Sequence, residues 1–162
     1  MTESLEAMVG KDFTQCSRQV CEEMECFQVG DTQPLLSALI GLLVNADRLA
    51  RSSIRFSDLD FDDTAELPVT LAMIPEGVSF HIVFDPLDQN SVCATSLKDA
   101  LADIYRSLKS GLSMLDRDPS TSAAVLWQWK LDYETHWGRH LLDVIRFLFI
   151  SPRDLGCLSG TG

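Results

Sequence analysis

Residues 122–149 read SAAVLWQWKLDYETHWGRHLLDVIRFLF, a run with no proline and with Gly138 as its one glycine. Relative to alanine, glycine costs a helix interior about 1 kcal/mol and proline about 3, so the run reads as a single long helix whose natural bending point is Gly138. His136, His140 and Asp143 follow one another at i, i+4 and i+7 and share one face. On a wheel of 100° per residue with His136 at the origin, His140 falls at about 40°, Asp143 at about 340°, and Trp129 and Phe147 at about 20°. The histidines therefore sit at the edge of an aromatic face.

Working toward the N-terminus, Asp116-Arg117-Asp118-Pro119 breaks the chain, and before it Leu97, Leu101, Ile104, Leu108, Leu112 and Leu115 repeat at helical spacing. Ser96, with Asp99 three residues on, is a capping signal, so a third helix is expected over Leu97 to Leu115. At the start of the chain Leu5, Val9, Phe13, Cys16, Val20, Met24 and Phe27 step by three and four, which predicts a first helix ended by Gly30-Asp31. Pro34 then opens a second, whose Leu35, Leu36, Leu39, Ile40, Leu42, Leu43 and Val44 cover nearly the whole circumference, as in a central buried helix.

The segment from Ser57 to Ala94 fits no regular pattern. Asp58, Asp60, Asp62, Asp63 and Glu66 suggest a calcium loop, but counted from Asp58 an EF-hand needs glycine and glutamate where Asp63 and Val69 stand, so a solvated acidic loop is expected. Val78 to Phe84 partly alternates like a strand without a convincing second strand to pair with it, and Asp85-Pro86 imposes an extended step. The expected fold is all-α: an antiparallel bundle of about four main helices, the second and last central, with an irregular excursion between helices two and three. Residues 1–150 form one helical domain in this reading, and 151–162, with Pro152, Gly156, Gly160 and Gly162, form a flexible tail.

Twenty-four acidic against thirteen basic residues give a net charge of −11, which opposes direct binding to nucleic acid or to an anionic membrane. The N-terminus Met1-Thr2-Glu3-Ser4-Leu5-Glu6 carries no secretion signal, and the longest apolar stretch, around Leu35 to Val44, is half of what a bilayer span needs. A cytoplasmic protein is expected. Cys16, Cys21, Cys26, Cys93 and Cys157 show no C-x-x-C spacing and read as reduced thiols. There is no nucleophile elbow and no phosphate-binding glycine loop.

For His136, His140 and Asp143 the simpler reading is a hydrogen-bonded structural network, and the alternative is a divalent metal site. A metal needs a further ligand, and Asp99 and Asp103, at i and i+4 on the third helix, are the available carboxylates. They lie at about 200° and 240° from Leu97, opposite the leucine stripe, so a solvated face with Asp103 paired to Arg106 is the simpler account. Lys130 and Glu134 fall inside an apolar arc, where they either pair with each other, face a gap between helices, or line a pocket that would make Glu134 a general base. Trp127, Trp129 and Trp137 read as packing residues.

Phe84-Asp85-Pro86, the run SLKDALADIYRSLKSGL over 96–112, Trp127 with Trp129, and HWGRHLLD over 136–143 with Arg146 resemble, in order and spacing, the bacterial domain-of-unknown-function 5063 family. The resemblance spans roughly Val83 to Phe149. It implies a small cytosolic bacterial protein of mainly helical fold and brings no activity or catalytic residues with it. Asp99, Asp103, Tyr105, Trp127, Glu134, His136, Trp137, His140 and Asp143 are the candidate functional cluster, with His136, His140 and Asp143 as the candidate metal ligands. The functional expectation is a non-catalytic accessory module, without a cofactor, that meets a protein partner through its acidic surface. The alternative is a metal-dependent hydrolase-like protein with its His/Asp site on the last two helices.

Overall fold

The computed structural model describes residues 4–55, 57–58, 64–83, 87–88 and 90–150. Asp60, Asp62 and Asp63 of the acidic stretch, the Phe84-Asp85-Pro86 step and the 151–162 tail lie outside the described residues. The fold is an all-α bundle carrying one small hairpin. Its elements are α1 (Leu5–Glu25), α2 (Gln33–Ala50), the short α3 (Val69–Ala72), β1 (Ser79–Val83), β2 (Val92–Ser96), α4 (Leu97–Arg117), α5 (Ser122–Asp132) and α6 (Gly138–Ile150). A π-helical turn, Tyr133–Trp137, joins α5 to α6. Among the described residues no helix is long and apolar enough to cross a membrane.

Local chemistry sets the helix ends. Ser4 accepts the Ala7 amide at the start of α1, Pro34 occupies the first turn of α2, and Ser96 accepts the Asp99 amide at the start of α4. Helix α1 packs against α2 and α4, and the last helix closes the ring by packing against both of them. Phe13, Val20, Met24, Leu39, Leu42, Leu49, Leu101, Ile104, Leu108, Trp129 and Trp137 are fully buried where these helices meet.

The structure differs from the sequence reading in three places. First, β1 finds a partner: it pairs antiparallel with β2 from Ser79–Ser96 to Val83–Val92. The exposed Val92-Cys93-Ala94 edge gives β2 no apolar alternation to read. Second, α2 is not buried all round. Its neighbours are α1 and the last helix, and Ile40 and Val44 are left 44% and 57% exposed. The central element is α4, touched by α1, α5, α6, α3 and β2.

Third, the final helix is not uniformly α-helical but widens into a π turn that ends at Gly138. The Gly138 amide donates to the Tyr133 carbonyl five residues back, a π-type bond that takes up one extra residue. In an uninterrupted α-helix Trp129 and Trp137, eight positions apart, would diverge by about 80°. Absorbing one residue brings them within about 20°. Both then meet Phe13 of α1, with ring centroids 5.2 and 6.4 Å away. A β-carbon on residue 138 would collide with the Tyr133 carbonyl oxygen and ring.

Gly138→Ala therefore has an expected sign opposite to helix propensity. In an ordinary helix interior the change stabilises by about 1 kcal/mol, whereas here overpacking is expected to destabilise by about 1–3 kcal/mol. Urea unfolding followed by circular dichroism measures it, and a variant more stable than wild type would contradict the π-turn account.

Candidate metal centre

Asp103, His136 and His140 meet at the seam between α4 and the last helix. Asp103 Oδ2 lies 3.5 Å from His140 Nε2 and 3.7 Å from His136 Nε2. The two imidazoles stand edge to face, centroids 5.6 Å apart. Side-chain exposure rises from 24% at His140 through 32% at Asp103 to 51% at His136, so the cluster opens to solvent on the His136 side. Among the described residues this is the one trio of His, Cys, Asp or Glu whose donor atoms all lie within 4.8 Å of one another.

Asp103 is thus turned toward the histidines rather than paired with Arg106 on a solvated face. The reason is a second buried face on α4. Asp103, Ser107 and Gly111, at i, i+4 and i+8, form a ridge of small or polar residues beside the leucine stripe, and Ser107 and Gly111 are buried. The last helix runs along that ridge. Trp129 Nε1 donates to the Ser107 carbonyl at 2.9 Å, and Ser107 Oγ donates to Asp132. A β-carbon at Gly111 would lie 2.5 Å from the Trp129 indole. With Trp129 seated over Gly111, the antiparallel course of the chain carries His136 and His140 back to Asp103, two turns nearer the start of α4.

The other candidate residues are dispersed. Asp99 is exposed in the first turn of α4, its amide on Ser96 Oγ. Tyr105 is buried on the α1 side, where its hydroxyl donates to Glu25 Oε1 at 2.8 Å and Lys109 Nζ reaches the same oxygen at 2.6 Å. Burial, then the bond to Glu25, pushes the Tyr105 hydroxyl pKa up, and the Lys109 hydrogen bond holds Glu25 low. This tie joins α4 to α1 and does not include the histidines.

Trp127 is half-buried, and Glu134 is exposed, so no pocket encloses it as a general base. Lys130 does not pair with Glu134. Its Nζ reaches the Ser52 carbonyl at 2.8 Å, just beyond the C-terminal end of α2, where a cation suits the helix dipole. Trp137 is fully buried, and among the described residues its indole Nε1, like His140 Nδ1, has no hydrogen-bond partner. Cys21, in the core, has its thiol pushed up to about 12 by burial, which keeps it protonated and unreactive.

Asp143 stands one turn beyond His140 and is not gathered into the trio. It lines a separate shallow cavity against the hairpin, with Phe80, His81, Ile82, Arg146 and Phe147. The sequence reading missed that cavity, because its far wall is the strand whose partner was not legible.

The family model for a domain of unknown function, DUF5063, matches residues 34–150. The chain belongs to that family. The match begins at the first turn of α2 and takes in the hairpin, α4 and the whole last helix, a longer span than the motifs alone delimit. The DUF5063 model thus covers Asp103, His136, His140 and Asp143, while α1 lies outside it. No curated protein and no solved structure matches the chain.

Burial raises the Asp143 pKa, against the lowering pull of His140, Arg139 and Arg146. An acid whose folded pKa is raised binds more protons folded than unfolded, so stability falls as pH rises through the window above the ordinary value of about 3.9. Asp143→Asn is expected to melt higher than wild type at neutral pH, with the difference closing as the pH is lowered toward that value. Melting curves between pH 3.5 and 7.5 test this, and an Asn variant less stable at neutral pH would contradict it.

Proposed function

We propose that the protein binds a divalent transition-metal ion through Asp103, His136 and His140, with the remaining coordination positions open to water or a ligand. The observation that carries this reading is the spacing of the donors. At 3.5 and 3.7 Å the carboxylate oxygen is too far from either imidazole for a good hydrogen bond, which spans about 2.7–3.2 Å. Ligands about 2.0–2.1 Å from a tetrahedral ion lie roughly 3.4 Å from one another, close to the separations found. Two imidazoles and one carboxylate form a borderline donor set that suits zinc, cobalt or iron(II) better than calcium or magnesium.

Three protein ligands with open positions are the arrangement of catalytic rather than structural zinc, in which the ion lowers the pKa of its water toward about 7. Hydrolysis is the reaction class this chemistry favours. His136 and Asp103 are accessible enough for water to reach the ion.

A second reading, a non-catalytic accessory module that meets a protein partner, is favoured by the exposed apolar side chains Leu142 and Phe149, i and i+7 on α6, at 53% and 72% exposure. A stoichiometric partner recovered by wild type and lost by Leu142→Asp/Phe149→Asp would support it, and recovery unchanged by those substitutions would count against it.

Elemental analysis after equilibration with Zn²⁺ or Co²⁺ tests the metal reading. One ion per chain is expected in wild type and none in His136→Ala/His140→Ala, with weakened binding in Asp103→Asn. Because the ion ties α4 to the last helix, free metal at a hundredfold above Kd should add about 2.7 kcal/mol to stability. A wild type that binds no metal, or a double variant that binds it equally, would overturn the proposal.

A further inference from the structure

Gln33, Ser37, Ile40, Val44, Asp47 and Arg51 follow one another at steps of four, three, four, three and four along α2 and its C-terminal cap. On a wheel of 100° per residue they fall within an arc of about 80°, the spacing of a coiled-coil seam. All six are exposed, Ile40 and Val44 by 44% and 57%. From Gln33 to Ala46 α2 carries no charged residue, although the outward face of a surface helix ordinarily holds the charged and polar groups.

The stripe is its own complement. Turned end for end about the level of Leu42 it maps onto itself, with Ile40 opposite Val44, Ser37 opposite Asp47, and Gln33 opposite Arg51. Those are the layers of an antiparallel helix pair, and a two-fold axis at that level is what an isologous interface requires. The chemistry of each layer matches. Its two central layers are aliphatic on both sides. In the outer layers a serine hydroxyl faces a carboxylate, and an amide carbonyl faces a guanidinium. Within one chain these polar ends close on themselves: Gln33 Nε2 donates to Ser37 Oγ at 3.3 Å, and Arg51 Nε and Nη2 donate to Asp47 at 3.0 and 3.2 Å. Ser37 accepts in that bond, which leaves its own proton for a second acceptor.

Charge points to the same occupant. Asp47 and Arg51 cancel, so the face is neutral, and two chains of net −11 meet through it with the least repulsion. We infer that two copies of this chain associate through α2 as an antiparallel pair, Ile40 and Val44 of each packed against Val44 and Ile40 of the other. One helix face buries less than the roughly 800 Å² per partner of a standard interface, so the dimer is weak and forms as concentration rises. The inference stands apart from the metal reading, since none of the six residues belongs to the Asp103, His136 and His140 trio.

Sedimentation equilibrium on metal-free protein, from low micromolar to near-millimolar, tests it. Wild type is expected to pass from monomer to dimer across that range and no further. Ile40→Arg and Val44→Asp, both at exposed positions, should each keep the helical circular dichroism and weaken self-association roughly tenfold or more, the effect of an unpaired charge in an apolar layer. Mixed one to one, the two variants should bind each other more tightly than either binds itself, because the new guanidinium then lies opposite the new carboxylate. A wild type that stays monomeric throughout, leaving the face to a different protein or to solvent, would overturn the inference. So would a dimer that either variant leaves intact, or variants that fail to complement one another.

Discussion

The bond from the Gly138 amide to the Tyr133 carbonyl sets the phase between the two halves of the last helix, and both the core and the candidate site depend on that phase. One extra residue in a turn rotates everything before it by about 100° relative to everything after it. Here that rotation places Trp129 with Trp137 on Phe13, and leaves His136 and His140 on the flank that faces α4. Glycine is the residue that permits it, since a side chain at position 138 meets the Tyr133 carbonyl. π-Helical turns lose packing along the axis and recur at functional sites for this reason: they re-aim side chains that an ideal helix would point elsewhere.

Helix α4 supplies the complementary half. Its leucine stripe packs toward the interior while the Asp103-Ser107-Gly111 ridge receives the last helix. Small residues on that ridge let the Trp129 indole lie close to the backbone, and the close approach carries the histidines to within reach of a carboxylate. Among the described residues Trp137 Nε1, Ser110 Oγ and His140 Nδ1 are buried without a hydrogen-bond partner. Apolar burial of two tryptophans and Phe13 is the main stabilising contribution on this side of the bundle.

Much of the fold was legible because it follows from period and punctuation. Ser96, Pro34 and the Asp118-Pro119 break mark helix ends that the structure reproduces, and the leucine and aromatic repeats mark the bundle faces, whereas α1 ends at Glu25, before the Gly30-Asp31 turn expected to stop it. The candidate site was half legible. His136 and His140 were found by spacing, but Asp103 was assigned to solvent because a wheel ranks faces by hydrophobicity, and Ser107 and Gly111 register as polar or neutral although they are buried. Their i, i+4 spacing with Asp103 was the available sign of a close helix contact. The π turn escaped because a fixed 100° step cannot represent it, and the pairing of β1 with β2 escaped because β2 is exposed and short.

Membership of the DUF5063 family assigns no chemistry, so the function proposed rests on the spacing of three donor atoms. An ion held by these donors would tie α4 to the last helix. X-ray absorption at the cobalt or zinc edge of the loaded protein tests the central claim most directly, because it reads the ligand atoms themselves. The account predicts a first shell of nitrogen and oxygen only, with the outer-shell scattering of two imidazoles. A sulfur ligand, or a shell of oxygens without imidazole, would show that Asp103, His136 and His140 do not form the site.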